Sequence, residues 1–395
     1  MVKEYSPFTP GVPVPLEFFV GRTREIEKFI SSVKKSVELK TLERLFVMGE
    51  RGIGKSSLCN LGLKVAEEQL GVLGLHVFLG GVNTLEEMVR RIFERLLQES
   101  RDKAWFDAVK RFLGNHVEQV GLFGITVKFA AKDRDLSQAV SDFVPAVRNL
   151  LKQLEPHKKG LLLILDDLNG LAALDRFAHW IKSTVDEVAT GRDPVPMTIV
   201  LVGLPERRQQ VIDRQPSLDR VFDLVSIERF SRKETAEFFD KAFGRVNVSV
   251  SSEAQDVLCQ FSGGFPVFMH EIGDSVFAVD EDNHIDEQDA LKGVIRAAHV
   301  IGAKYLEPKV LAAIRSERYQ VILRKIAQEP FEHRFTRKDA VARLSAEEVK
   351  VFDNFLRRME NLGVIRKDRE RGPGGYEFTS EIYYLFFWLQ ATANR

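Results

Sequence analysis

The chain has 395 residues, which is enough for two or three domains with large apolar cores. Hydrophobic residues make up 44% of it and charged residues 29%, a globular composition that excludes a largely disordered chain. Basic and acidic residues are equal at 57 each, so no overall positive charge favours a nucleic-acid partner, and any DNA contact requires a local patch.

The cysteines and the apolar segments indicate where the protein works. Two cysteines, Cys59 and Cys259, lie far apart inside predicted helices, which favours a reducing compartment and argues against a disulfide framework or a zinc site. The first residues lack the apolar core of a signal peptide, and the apolar stretch 383–389 is too short to span a bilayer. We therefore expect a soluble cytoplasmic protein without a membrane partner.

The first 18 residues contain prolines at positions 7, 10, 13 and 15, which predicts an extended N-terminal arm over 1–18. A helix is predicted over 23–37, and a buried-type strand over 45–48 follows it. Directly after this strand the sequence fits the pattern G-x-x-x-x-G-K-[ST] with Gly49, Glu50, Arg51, Gly52, Ile53, Gly54, Lys55, Ser56 and Ser57.

This glycine-rich stretch is the most informative feature of the chain. Glycines let the backbone curl so that successive N–H groups converge on phosphate oxygens, and the helix predicted over 55–69 points its positive end at the same anion. Lys55 is expected to reach the β- and γ-phosphates, and the Ser56 hydroxyl to complete the shell of a bound Mg²⁺. The pattern predicts a P-loop that binds ATP and Mg²⁺.

Further strands and helices alternate after the P-loop. A buried-type strand is predicted over 75–79, a helix opened by Thr84 and Glu87 follows, and 117–129 suggests an inserted hairpin before a single helix over 136–154. Two continuous apolar runs, 161–165 and 197–202, read as strands buried on both faces. This alternation predicts an α/β fold: a P-loop NTPase parallel sheet with helices on both faces, over residues 19–228.

Asp166 and Asp167 end the run 161–165 at the sheet edge that should hold the P-loop. An acid at this place holds Mg²⁺, usually through water, so Asp166 is predicted to share the metal with Ser56. Asp167 is the candidate to orient the attacking water. The alternative for the pair is a strand-end turn with two solvated acids.

The pattern becomes all helical after residue 228. Ser231 with Glu234 and Ser252 with Gln255 read as helix starts, and a helical lid is predicted over 229–303. Helices near 318–328, 337–344 and 346–362, followed by a wing over 363–378, predict a C-terminal winged-helix domain over 304–395.

The charge of the winged helix leaves its partner open. Residues 316–395 carry 15 basic against 12 acidic side chains, a slight excess for a DNA reader. Arg366, Lys367, Arg369 and Arg371 cluster on the wing and could touch phosphates. The predicted recognition helix 346–362 mixes acids with arginines, so docking onto a protein is an equal alternative to binding double-stranded DNA.

The order of these motifs resembles that of AAA+ and STAND-type ATPases, most closely the archaeal-type members and more distantly the origin-recognition ATPases. The segment 19–26, Phe-Val-Gly-Arg-Thr-Arg-Glu-Ile, is similar to their F-x-G-R-x-x-E-I entry, and the P-loop, 161–167, 203–206 and 263–266 follow in the family's order. The resemblance covers about residues 18–303 and extends through the winged helix.

This resemblance implies further site residues. Val20 and Gly21 should lie near the adenine base, and Pro266 should couple the lid to the nucleotide. Arg220 stands where the family carries an arginine finger offered to a neighbouring subunit; the alternative is a surface arginine at a helix end. Leu204 and Val267 stand where the family has polar sensors, which favours slow hydrolysis.

The leading hypothesis is an ATP-dependent switch of low turnover whose nucleotide state controls self-assembly into a homo-oligomer or the engagement of a partner. The second is a DNA-binding initiator or regulator, of the replication or transposition type, in which ATP tunes affinity. A scaffold with a vestigial P-loop is the third. The intact Lys55, Ser56 and Asp166 argue against it.

Overall fold

The fold is described from a computed structural model, which covers residues 5–11, 19–120, 126–314, 316–328 and 332–393. Two compact units make up this part of the chain. One runs from residue 19 to Glu228, and the other joins residues 5–11 to those from Arg229 onward. Among the described helices, none combines the length and the apolar composition that crossing a bilayer requires.

Seven strands occur in the described part of the first unit. In chain order they are β1 (Leu42–Met48), β2 (Leu73–Phe78), β3 (Val117–Val120), β4 (Thr126–Phe129), β5 (Leu161–Asp166), β6 (Met197–Gly203) and β7 (Asp223–Ser226). Five of them form one parallel sheet in the order β2-β5-β6-β1-β7. β3 and β4 pair as an antiparallel hairpin, as predicted, although Gly121 and Gly124 lie outside the described residues.

The parallel sheet confirms the predicted P-loop NTPase fold. Every residue of β5 and β6 is buried, because helices cover both faces of the sheet, and this accounts for their continuous apolar sequences. In the sheet register Met48 of β1 lies opposite Gly203, and Asp166 of β5 lies opposite Val202. The residues that follow β1, β5 and β6 therefore meet at one edge.

Helices flank the sheet. They are α1 (Thr23–Leu39), α2 (Lys55–Leu70), α3 (Leu85–Ser100), α4 (Phe106–Leu113), α5 (Asp133–Ser141), α6 (Phe143–Leu154), α7 (Asp175–Thr190) and α8 (Pro205–Arg214). The single helix predicted over 136–154 is wrong, since the chain breaks at Asp142 between α5 and α6. Pro145 explains the break because its ring nitrogen cannot donate to the carbonyl of Ser141.

The second unit is mostly helical. Its helices are α9 (Arg232–Gly244), α10 (Ser252–Ser262), α11 (Pro266–Val279), α12 (Glu287–Ile301), α13 (Glu317–Ile326), α14 (Arg337–Val341), α15 (Ala346–Asn361) and α16 (Glu381–Ala393). Ser231 and Glu234 form the predicted capping box of α9. The predicted start of α10 is wrong by one residue, because the side chain that accepts from the backbone of the first turn belongs to Ser251 and not to Ser252.

Short strands also occur in this unit. They are β8 (Ser249–Val250), β9 (His284–Ile285), β10 (Arg334–Thr336), β11 (Ile365–Lys367) and β12 (Gly375–Phe378). β8 and β9 pair in parallel within the region predicted to be all helical. The other three form an antiparallel sheet in the order β10-β12-β11, which with α13, α14 and α15 gives the predicted winged helix. A π-helical segment, Gly302–Leu311, continues α12 across residues 303 and 304.

Phe8 fixes the described part of the N-terminal arm to this unit. Its side chain is 4% exposed and packs against Phe238, Phe239 and Phe243 of α9. The backbone N–H of Thr9 donates to Nδ1 of His270 over 3.1 Å. Residues 5–11 contain no helix or strand, and the rest of the predicted arm, 1–4 and 12–18, lies outside the described residues.

Candidate nucleotide-binding site

The P-loop connects β1 to α2 and needs glycine at three positions. Gly52 and Gly54 have φ values of 83° and 96°, in the left-handed region that favours glycine. A Cβ on Gly49 would lie 2.6 Å from the carbonyl oxygen of Ile227 and 2.9 Å from a methyl carbon of Ile53. A Cβ on Gly54 would meet nothing within 4 Å, so the space beside this residue is open.

The start of α2 is suited to an anion. No side chain in the described part of the chain caps this 16-residue helix, so its first-turn N–H groups depend on another acceptor. Close packing fixes the helix in place, because a Cβ on Gly62 would lie 2.7 Å from the buried ring of Phe29 in α1. The start of α2 is therefore held in place by packing, with first-turn N–H groups available to an anion.

Lys55 begins α2 and turns back over the loop. Its ammonium donates to the carbonyl oxygens of Gly49 over 2.9 Å and of Glu50 over 2.7 Å. Burial lowers the pKa of Lys55, and the negative charges of Asp166 and Asp167 oppose this shift. The Lys55 ammonium thus contacts the loop backbone and is close enough to Asp166 and Asp167 to feel their charge. A phosphate chain bound at the loop would be stabilised by this positive charge.

Ser56 and Asp166 come together as predicted. The Ser56 hydroxyl donates to Oδ2 of Asp166 over 2.7 Å, across 110 positions of sequence. Asp166 is 4% exposed at the end of β5. One hydroxyl and one carboxylate beside an anion cradle suit Mg²⁺, which takes one or two protein oxygens and completes its shell with water and phosphate.

Two further residues of this cluster were missed from sequence, His76 of β2 and Asn60 of α2. His76 is 2% exposed, with Nε2 lying 3.0 Å from Oδ2 of Asp166 and Nδ1 lying 2.7 Å from Oδ1 of Asn60. The available signal was a single polar residue inside an otherwise apolar strand. The sequence alone does not show that β2 lies beside β5, so it could not indicate that His76 contacts Asp166.

Asp167 leaves the strand in a left-handed conformation, with φ of 65°. Its Oδ1 accepts from the amide of Asn169, and the Asn169 oxygen in turn accepts from Nε of Arg207 over 2.9 Å. Asn169 and Arg207 were also missed from sequence. They hold the carboxylate proposed to orient water and connect it to α8, which begins two residues after β6 ends.

The other predicted site residues take no part in the hydrogen bonds described above. Val20 is buried and Gly21 has φ of 67°, just before α1 begins. Arg220 ends a short 3-10 helix, is exposed, and forms no side-chain hydrogen bond or ion pair with any described residue. Pro266 is the first residue of α11 and belongs to the second unit.

Comparison with known proteins agrees with this geometry. Residues 19–197 match the family model of the AAA ATPase domain. No curated protein matches the sequence. The Walker-type ATPase of Pyrococcus abyssi is 18% identical, with a TM-score of 0.56 over 98% of this chain and 99% of that one.

A second similar structure is the ORC2 protein of Aeropyrum pernix in its ADPNP–ADP complexes. It is 12% identical, with a TM-score of 0.58 over 96% of this chain and 98% of that one. The ADP form of the same protein has a TM-score of 0.55 at 15% identity over 98% of both chains. Residues 19–197 of this chain thus match the AAA ATPase domain model, and the chain has a fold like those of the Pyrococcus abyssi Walker-type ATPase and the Aeropyrum pernix ORC2 protein.

Proposed function

We propose that this chain binds ATP with Mg²⁺ at the P-loop, hydrolyses it slowly, and uses the bound nucleotide as a switch. The observation that carries the proposal is the contact of Ser56 with Asp166 at 2.7 Å, beside the glycine loop whose carbonyl oxygens Lys55 contacts. Lys55 would bind the phosphates, and Ser56 and Asp166 would hold the metal. A bound Mg²⁺ supplies the positive charge that stabilises the phosphate oxygens.

Three residues support slow turnover. Asp167 is one methylene shorter than the glutamate common in the resembling ATPases, and its carboxylate already accepts from Asn169. Leu204 and Val267 stand at the positions of polar sensors. At about a hundred times its dissociation constant ATP stabilises the bound state by about 2.7 kcal/mol, enough to shift an equilibrium about a hundredfold. A switch of this size does not require rapid hydrolysis.

Self-assembly is the response that the site favours. Arg220 is exposed and, in the described part of the chain, without a hydrogen-bond or ion-pair partner, which suits a guanidinium offered to a second copy. If so, the solution mass should rise with ATP or a non-hydrolysable analogue, and Arg220→Ala should remove the rise in turnover that accompanies assembly. Arg176→Ala, at another exposed arginine of the same unit, is the control.

The DNA-binding alternative has less support from the wing. Arg366 pairs with Glu377 over 2.6 Å, and Arg371 pairs with Glu332. Of the four basic residues predicted to touch phosphates, Lys367 and Arg369 remain without an ion pair among the described residues. We therefore propose that the winged helix docks on protein.

Calorimetry with ATP and Mg²⁺ tests the proposed function. Lys55→Ala should abolish binding, because the ammonium beside the loop is removed. Lys64→Ala is the matched control: Lys64 lies in the same helix, is 54% exposed, and among the described residues has one ion pair, with Glu68. Binding should survive in the control, and ATP affinity retained by Lys55→Ala would refute the site.

A further inference from the structure

The buried histidine of β2 is the least expected polar residue of the sheet. Apart from Phe78, its strand neighbours are buried apolar or glycine residues, and the ring is 2% exposed. A buried imidazole costs stability unless its nitrogens find partners. Both do, since Nε2 lies 3.0 Å from Asp166 and Nδ1 lies 2.7 Å from Asn60.

Strand register explains why this histidine reaches Asp166. In the pairing of β2 with β5, Phe78 lies opposite Asp166 and His76 lies opposite Ile164. His76 and Phe78 share one face of the sheet, so His76 is the diagonal neighbour of Asp166 on that face. The Phe78 ring stacks on the imidazole with centroids 4.4 Å apart and fixes its plane.

The contacts constrain the acid from two sides. Oδ2 of Asp166 accepts from the Ser56 hydroxyl over 2.7 Å and lies 3.0 Å from Nε2 of His76. Because a carboxylate oxygen accepts, Nε2–H is the donor in this contact. Asn60 presents both an amide oxygen and an amide N–H, so with its amide in one orientation or the other it can partner Nδ1.

We propose that His76 is a positioning residue, held by Asn60, that fixes the Asp166 carboxylate for the metal of the bound nucleotide. The inference rests on the proposed function, since it assigns a role in the same site. Asn60 lies on the P-loop helix and His76 on the strand beside β5, so the pair sets the acid relative to the loop. Such outer hydrogen bonds orient metal ligands and commonly change metal affinity about 10- to 100-fold.

Two pairs of variants test the role. His76→Leu removes both hydrogen bonds and keeps an apolar side chain in the strand, whereas His76→Gln retains an amide N–H directed at Asp166. Asn60→Leu removes the support of the ring, whereas Asn60→Gln keeps an uncharged amide that can donate to Nδ1 or accept from it. In each pair the second variant is the conservative rescue of the first.

The readout separates metal from nucleotide. ATP binding is measured in EDTA and then as a function of Mg²⁺, and Mn²⁺ bound with ATP is measured by electron paramagnetic resonance. His76→Leu should raise the Mg²⁺ concentration for half-saturation about 10- to 100-fold, with affinity in EDTA unchanged. His76→Gln should recover most of the lost Mg²⁺ affinity, and Asn60→Leu should show a smaller loss that Asn60→Gln recovers.

Three results would overturn the inference. They are an unchanged Mg²⁺ dependence in His76→Leu, an equal loss of affinity with and without metal, and a His76→Gln variant as defective as His76→Leu. If His76→Leu does not fold, the Asn60 pair decides the same question. Failure of the proposed function is distinguishable, because the unaltered protein itself would then bind no ATP.

Discussion

Phe8→Ala tests what fixes the N-terminal segment to the second unit. The Phe8 ring is 4% exposed, and its centroid lies 4.9 Å from that of Phe243 and 5.9 Å from that of Phe238. Truncating a buried phenylalanine removes the transfer energy of the ring and leaves a cavity, typically at a cost of about 3–5 kcal/mol. We expect a loss near the lower value, because residues 5–11 carry no helix or strand that would keep the cavity open.

Gly273 of α11 provides a second test of the position of Phe8. A Cβ on Gly273 would lie 2.3 Å from the Phe8 ring, and the three nearest atoms all belong to that ring. Gly273→Ala should therefore displace Phe8 and destabilise the unaltered protein. In the Phe8→Ala background the same change should stabilise by about 0.5–1 kcal/mol, because alanine is the better residue inside a helix.

The assay is a double-mutant cycle over the four proteins. Urea-dependent hydrogen exchange of the α11 amides gives the free energy of opening of this helix in each one. We expect Gly273→Ala to destabilise α11 when Phe8 is present and to stabilise it when residue 8 is alanine. An equal cost of Gly273→Ala in both backgrounds would refute this expectation, since the added methyl group would then clash with something other than Phe8.

Three further predictions concern the site, the pH dependence and the wing. Gly54→Ala should cost about 1–2 kcal/mol of folding free energy, because residue 54 has a left-handed backbone. The added methyl group would also occupy the open space beside the loop, so ATP should no longer raise the melting temperature. A rise equal to that of the unaltered protein would contradict phosphate binding at this place. Burial lowers the pKa of His270 from 6.5 to about 4, against the charge of Asp274, so the unfolded chain takes up a proton before the folded one. Stability should be full above pH 6.5 and fall by at most about 3 kcal/mol as pH drops towards 4, and urea titrations of His270→Gln should lack this slope. Replacing Lys367 and Arg369 by alanine should leave the affinity for duplex DNA and its salt dependence unchanged. A lower affinity that also depends less steeply on salt concentration would favour the DNA-binding alternative.

The sequence was sufficient for the parts of the fold that depend on local patterns. The continuous apolar runs predicted buried parallel strands, and the glycine spacing located the P-loop, because both signals are contained in a few adjacent residues. Pro145 signals the break at Asp142, but the apolar residues on both sides of it keep helical spacing and so indicate one continuous helix. The three-residue strand Arg334–Thr336 was missed, since so short a segment carries little pattern.

Contacts between distant segments were harder to foresee. Ser56 and Asp166 could be paired in advance because the P-loop pattern itself implies a partner acid. His76 lies 90 positions from Asp166, and their contact depends on β2 lying beside β5, which no local signal gives. The same holds for Phe8 and Gly273, whose contact joins the first residues described to the middle of α11.

The most direct measurement is a crystal structure with saturating ATP and Mg²⁺. Phosphate density should lie against the backbone N–H groups of the loop from Gly49 to Ser57, with Lys55 released from the carbonyl oxygens of Gly49 and Glu50. Metal density should lie beside Ser56 and Asp166. A loop that keeps the Lys55 contacts and holds no phosphate at saturating ATP would contradict ATP binding at this site.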